Sequence, residues 1–133
     1  VEHHGDLRDL IARPYQSKDT VTIGPDEPLA NAYKRMKLYD VSQLPVVEDD
    51  RLVGILDESD VLLAVADEPA SFDDTVATAM ATQLTDIDVK APIKDLMPIF
   101  DRDFVAIVRD GKQFLGLITR VDLLNYLRRK ADR

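Results

Sequence analysis

The chain has 133 residues and carries 25 Asp and Glu against 17 Lys and Arg, a formal net charge of −8. That length suits one domain, or two small repeats that share a core. The acidic balance repels phosphate backbones and no basic stripe is interleaved with aromatics, so no nucleic-acid partner is expected. The absence of cysteine excludes disulfides and thiolate zinc. No apolar run reaches the length of a membrane span and no basic-then-apolar leader opens the chain, so a soluble cytoplasmic protein with no membrane partner is expected.

In chain order, His3 and His4 stand side by side ahead of LRDLIA (7–12), a short helical lead-in. TVTI (20–23) reads as a short strand. Pro28 then precedes Leu29, Ala32, Tyr33 and Met36, whose i, i+3, i+4, i+7 spacing predicts an amphipathic helix. Proline suits a helix start, where its missing N–H costs nothing. QLPVVE (43–48), the turn EDDR (48–51) and LVGIL (52–56) predict a strand hairpin, and a helix begins near Asp57. Ala, Pro and Ser between Glu68 and Ser71 mark a break.

The order then repeats. TVATAMA (75–81) is a second lead-in and LTDI (84–87) a second short strand. Pro92 precedes Ile93, Leu96, Met97 and Phe100, again at i, i+3, i+4, i+7. FVAIV (104–108), RDGK (109–112) and FLGLI (114–118) predict a second hairpin, with Asp110-Gly111 as the turn signal, and a helix begins near Thr119. The chain is an internal duplication of a β-α-β-β-α unit, an α/β (α+β) fold. Residues 1–68 hold a lead-in and the first repeat, and 69–133 the second. Such copies are expected to pack with pseudo-two-fold symmetry and to leave two related clefts where they meet.

The helix starts form an echo: GILDESDVLLAV (54–65) and GLITRVDLLNYL (116–127). Thr119-x-x-Asp122 and Asp57-x-x-Asp60 both suit a capping box, in which the first side chain accepts an N–H of the first turn and the later acid reaches back. The same atoms suit a ligand. A helix N-terminus favours anions, a glycine just before it lets a ligand approach the backbone, a Thr hydroxyl can bind phosphate, and an Asp one turn on can take both ribose hydroxyls. The Arg128-Arg129-Lys130 cluster fits the negative end of a closing helix.

DVSQLPVVEDDRLVGILDESDVL in the first copy and FVAIVRDGKQFLGLITRVDLL in the second resemble a tandem pair of CBS domains, nucleoside-sensing modules named after cystathionine β-synthase. The resemblance covers about residues 7 to 130. GLITRVDLLNYLRR, with GDLRDLIA at the start, is further similar to the C-terminal regulatory region of a bacterial cystathionine β-synthase. What the resemblance implies is one site with Thr119 on a phosphate or equivalent polar tail and Asp122 on ribose. Leu117 and Ile118 would supply backbone and apolar contact. Val41, Gln43, Leu44 and Pro45 would wall the adenine, with Gln43 its polar reader, and Thr20 and Val21 are secondary candidates. For Val41, Leu44 and Pro45 ordinary core is the competing role.

The other implied cleft uses Asp57 and Asp60 with Phe104 and Ala106. There Asp57 replaces the hydroxyl and Glu58 adds charge, so a nucleotide phosphate meets repulsion and the cleft is expected to be impaired. A metal on Asp57, Glu58 and Asp60 is the alternative to an acidic first helical turn, and the acidic turn is preferred. DRDFVA is also three residues shorter than KLYDVSQLP, which deepens the asymmetry.

No catalytic constellation is evident. The only histidines are terminal, and the five glycines build no phosphate loop. Pyridoxal phosphate, if cystathionine β-synthase is the parent, belongs to a catalytic domain upstream of Val1, and no cofactor is expected in this chain. The resemblance implies a regulatory module that binds S-adenosylmethionine or an adenine nucleotide, partners its own catalytic domain and forms a homodimer. A ligand-free structural or dimerisation module and a stand-alone AMP or ATP sensor are the alternatives.

Overall fold

The computed structural model describes residues 3–103 and 105–132. The chain divides into two compact units, one of Val21–Leu84 and one of Val1–Thr20 with Thr85–Arg133. No helix among the described residues is long and apolar enough to cross a membrane.

In the unit of 21–84, helix α1 (Leu29–Tyr39) starts on Pro28 and lays Leu29, Ala32 and Met36 into the core. Tyr33, expected in the same stripe, is instead 46% exposed. The helix closes on Asp40, whose left-handed backbone returns its N–H to the Met36 carbonyl. Strands β1 (Gln43–Glu48) and β2 (Arg51–Asp57) pair antiparallel, and Asp49 and Asp50 both take positive φ in the two-residue turn between them. Positive φ at both central positions matches the twist of the flanking strands. Helix α2 (Glu58–Val65) follows directly. The expected strand TVTI is reduced to one parallel bridge, Ile23 to Val46. Glu27 braces the start of α1. Its carboxylate accepts from the Gly24 N–H at 2.7 Å and from the Arg35 guanidinium at 2.7 and 2.9 Å.

The other unit holds a three-stranded sheet. Strand β3 (Asp86–Asp88) runs parallel to β4 (Val105–Asp110), which pairs antiparallel with β5 (Gln113–Thr119). The hairpin turn centres on Gly111, at φ +61°, and Lys112, one residue beyond the Asp110-Gly111 pair that signalled it. Helix α3 (Leu96–Arg102) is shorter than the expected helix because of Pro98. An α-helix from Ile93 would need an N–H at 98 to bond the Lys94 carbonyl, and proline has none. Residues Ile93–Asp95 therefore form a 3₁₀ turn, and Pro98 falls in the first turn of α3. Ile99 takes a buried position, and Met97, expected in the stripe, is 54% exposed. Helix α4 (Arg120–Ala131) ends the unit.

The compact units cut the chain differently from the division at 68/69. Leu7, Leu10 and Ile11 of the first lead-in are buried with Val89, Leu115 and Ile118 of the second repeat. Backbone bonds run from Leu7 to Val89 (3.0 Å) and from Tyr15 to Leu115 (2.9 Å). Conversely, Val76 of the second lead-in is fully buried in the core around Leu29, Leu44 and Leu56, and Ala81 bridges Ile55. The lead-ins are exchanged because each hairpin finds its missing apolar cover on the other repeat's segment.

This exchange also accounts for the glycines of the echo. A Cβ at Gly116 would lie 2.6 Å from Ile11 Cγ2, and one at Gly54 would lie 2.7 Å from Met80 Sδ and 2.9 Å from the Ala81 carbonyl. The close approach that glycine permits at these positions is made by the exchanged lead-ins, not by a ligand as the sequence suggested. Each glycine lies beside a register shift in its hairpin, at Val46/Val47 and Val108/Arg109.

Candidate ligand-binding site

Both helix starts of the echo form complete capping boxes. At α4 the Asp122 N–H donates to Thr119 Oγ1 at 3.3 Å, and the Thr119 N–H donates to Asp122 Oδ2 at 2.8 Å. At α2 the Asp60 N–H donates to Asp57 Oδ1 at 3.1 Å, and the Asp57 N–H to Asp60 Oδ2 at 2.9 Å. The boxes differ in what remains after capping. Thr119 Oγ1 accepts the backbone bond and keeps its own hydrogen to donate, whereas an ionised Asp57 is acceptor-only. Burial, together with the neighbouring Asp57 charge, pushes the Asp60 carboxyl above the usual aspartate value, against the Asp57 N–H bond that lowers it. Among the described residues no group of three acids or histidines is arranged to hold a metal ion, Asp57, Glu58 and Asp60 included.

Leu117, Ile118, Thr119 and Asp122 come together at the junction of β5 and α4. Ile118 is fully buried, so its side chain is core and only its backbone is available to a ligand; Leu117 is half-buried. Thr20, in the same unit, spends its hydroxyl on the Arg13 carbonyl at 2.5 Å. In the other unit, Val21 and Val41 are partly buried against the core, Leu44 is fully enclosed, and Pro45 is buried with its carbonyl accepting from Ile23 at 3.1 Å. The competing role of ordinary core thus holds for Leu44. Gln43, half-buried, opens β1 and pairs in register with Asp57.

The matching position in the second hairpin is Val105, opposite Thr119, so the polar reader has an apolar counterpart. Ala106 is fully buried, and its side chain is core rather than cleft wall. Phe104 lies outside the described residues. Sequence reasoning missed the surroundings of Asp122. With Leu10, Ile11 and Ala12 of the exchanged lead-in and Asn125, Tyr126 and Arg129 of α4, it lines an open groove of about 1020 Å³. The helical spacing 122, 125, 126, 129 was a readable signal for one wall; the other wall needed the exchange.

Residues 7–67 and 74–129 each match the model of the CBS domain. The chain belongs to the CBS-domain family. Inosine-5′-monophosphate dehydrogenase of Methanocaldococcus jannaschii is 32% identical over 108 residues, 80% of this chain and 21% of that enzyme. Cystathionine beta-synthase of Dictyostelium discoideum is 26% identical over 119 residues, 85% of this chain and 24% of that enzyme. The CBS pair thus spans between a fifth and a quarter of these two relatives. The crystal structure of CBSX2 in complex with AMP superposes with a TM-score of 0.80, covering 96% of this chain and 98% of that one at 18% identity, a likeness of fold alone. The α+β fold of two CBS repeats expected from the sequence is therefore observed, and the chain is a module of a regulatory, ligand-binding type.

Proposed function

We propose that this CBS pair is the regulatory part of a larger protein and holds an adenosyl ligand at Thr119 and Asp122. The observation that carries the reading is the unlike pair of caps. Only the second repeat combines a hydroxyl with hydrogen to give, an acid with lone pairs beyond the one used in capping, and an adjoining groove. Asp122 takes the ribose hydroxyls, Thr119 donates to the phosphate or equivalent polar tail, and the α4 N-terminus supplies favourable partial charge. The AMP held by CBSX2 supports the adenosyl class. S-adenosylmethionine, AMP and ATP are the candidate ligands. Cystathionine β-synthase is the proposed parent, supported by the Dictyostelium relative. Pyridoxal phosphate then belongs to the parent's catalytic domain, and ligand acts on that domain by favouring one arrangement of the module over another.

A second reading has its own support: both boxes are complete as helix caps, which suffices for a structural module that binds nothing. Thermal unfolding with S-adenosylmethionine, AMP, ADP or ATP separates the two. A ligand at about 100 times its dissociation constant adds roughly 2.7 kcal/mol. Thr119→Asp copies the cap of the first repeat, so it should keep the helix start and lose the ligand-induced shift. Absence of a shift with all four ligands would leave the structural reading standing.

A further inference from the structure

We infer that the groove beside Asp122 seats the base of the adenosyl ligand and that Asn125 reads its edge. The inference rests on the proposed site at Thr119 and Asp122 and deepens it, moving the base-reading role from Gln43 to α4. Thr119, Asp122 and Asn125 follow one another at three-residue steps along the helix, about 4.5 Å of rise each. A nucleotide has the same order: the phosphate on C5′, the diol between, and the base on C1′ at the other end of the ribose. With the phosphate at the helix start and the ribose on Asp122, the base falls beside Asn125 and Tyr126.

That stretch of the groove has the chemistry a base needs. Leu10 and Ile11 of the exchanged lead-in, both buried, and the exposed Ala12 line one wall, and the half-buried Tyr126 lines the other. Apolar and aromatic walls with a few convergent polar groups are the general make-up of a small-molecule site. Asn125 is exposed, and among the described residues its amide has no hydrogen-bond partner. An amide carries a donor and an acceptor side by side, which match the N6 amino group of adenine and the ring nitrogen next to it. Guanine shows two acceptors, O6 and N7, along the corresponding edge and cannot satisfy both halves of the amide. Asp9, on the lead-in side, does not compete for the base, because its carboxylate accepts from the His4 and Gly5 N–H groups at 2.7 and 2.9 Å.

The test is calorimetric titration of the full chain with AMP, S-adenosylmethionine, GMP and ribose 5-phosphate. The wild type should bind AMP about tenfold more tightly than GMP, the worth of one two-bond amide contact. Asn125→Leu should weaken AMP and S-adenosylmethionine about tenfold and leave the weaker binding of GMP and ribose 5-phosphate unchanged. Asn125 is exposed, so circular dichroism and the melting point without ligand should stay those of the wild type. AMP or S-adenosylmethionine binding that Asn125→Leu leaves intact overturns the inference, while the site at Thr119 and Asp122 stands. So does binding that Gln43→Leu weakens and Asn125→Leu does not, which puts the base where the family resemblance implies. Binding weakened only by Arg129→Ser with Lys130→Ser, at the far end of the groove, turns the ligand end for end and also overturns it. A wild type that binds none of the four removes the reading on which the inference rests.

Discussion

Helices α2 and α4 start with the same hydrogen-bond pattern built from different atoms. Asp57 and Thr119 each accept the N–H three residues on, and Asp60 and Asp122 each reach back. The local folding requirement is met equally, yet of the two caps only Thr119 has a hydroxyl hydrogen to donate, while Asp57, Glu58 and Asp60 place three acids at the α2 start. A cap constrains where a helix begins and leaves its chemistry free to diverge. Duplication followed by such divergence yields two equally capped helix starts, of which only one carries a hydroxyl at the cap.

The glycines before the two caps should give the largest effects and test how equal the repeats are. Gly116 has φ +150°, unfavourable for any residue with a Cβ, and Ile11 occupies the space beside it. Gly54 meets crowding from Met80 and Ala81 without positive φ. Gly116→Ala should therefore cost about 3 kcal/mol in urea unfolding, from strain plus overpacking, and Gly54→Ala about 2 kcal/mol. Adding Ile11→Ala should recover the overpacking part at Gly116 and leave the strain. Equal losses at the two glycines would remove the backbone difference between the hairpins.

Between the two glycine effects in size lies the roughly 2.7 kcal/mol ligand shift, which Thr119→Asp should abolish and Asp57→Ala should leave in place. The caps themselves come third. Thr119→Ala and Asp57→Ala should each cost about 1 kcal/mol without ligand, measured by the denaturation midpoint, because each frees one first-turn N–H. A much larger cost on one side would show that its cap also supports tertiary packing.

The smallest effects concern pH within the unit of 21–84. Burial raises the Glu27 carboxyl, but the Arg35 guanidinium and the Gly24 N–H outweigh it and leave the group below the usual glutamate range. A folded value below the unfolded one gives stability above the ordinary value that is lost as pH falls through the folded value. Asp60 is shifted the other way, so its contribution is full at low pH and is lost as pH rises through its raised value. Unfolding followed from about pH 3 to 6 should show that Glu27→Gln flattens the acid-side loss and Asp60→Asn removes a partial offset to it. Both groups are partly solvated, so each effect should stay below about 1 kcal/mol.

Much of this was legible from local patterns. Both capping boxes, both hairpins and the helix after Pro28 follow from residues within a few positions of one another. The shortening of α3 was also local, since Pro98 stands in the sequence, but the apolar stripe from Ile93 to Phe100 masked it. The exposure of Tyr33 and Met97 was not legible, because a helical stripe says which residues share a face and not how far the core extends across it. The enclosure of Leu44, Ala106 and Ile118, named as cleft residues, likewise depends on neighbours distant in sequence.

By itself the sequence determined the repeat, its elements and the chemical difference between Asp57 and Thr119, because capping, turn geometry and hydrophobic period act over a few residues. The tertiary structure alone decided which lead-in covers which hairpin, and with it the role of Gly54 and Gly116. It also decided which apolar side chains stay outside the core. Two copies of one unit offer nearly the same apolar pattern, so the pattern cannot say which partner a segment takes. That choice is made by packing: Ile11 fits over Gly116, and Met80 with Ala81 fits over Gly54.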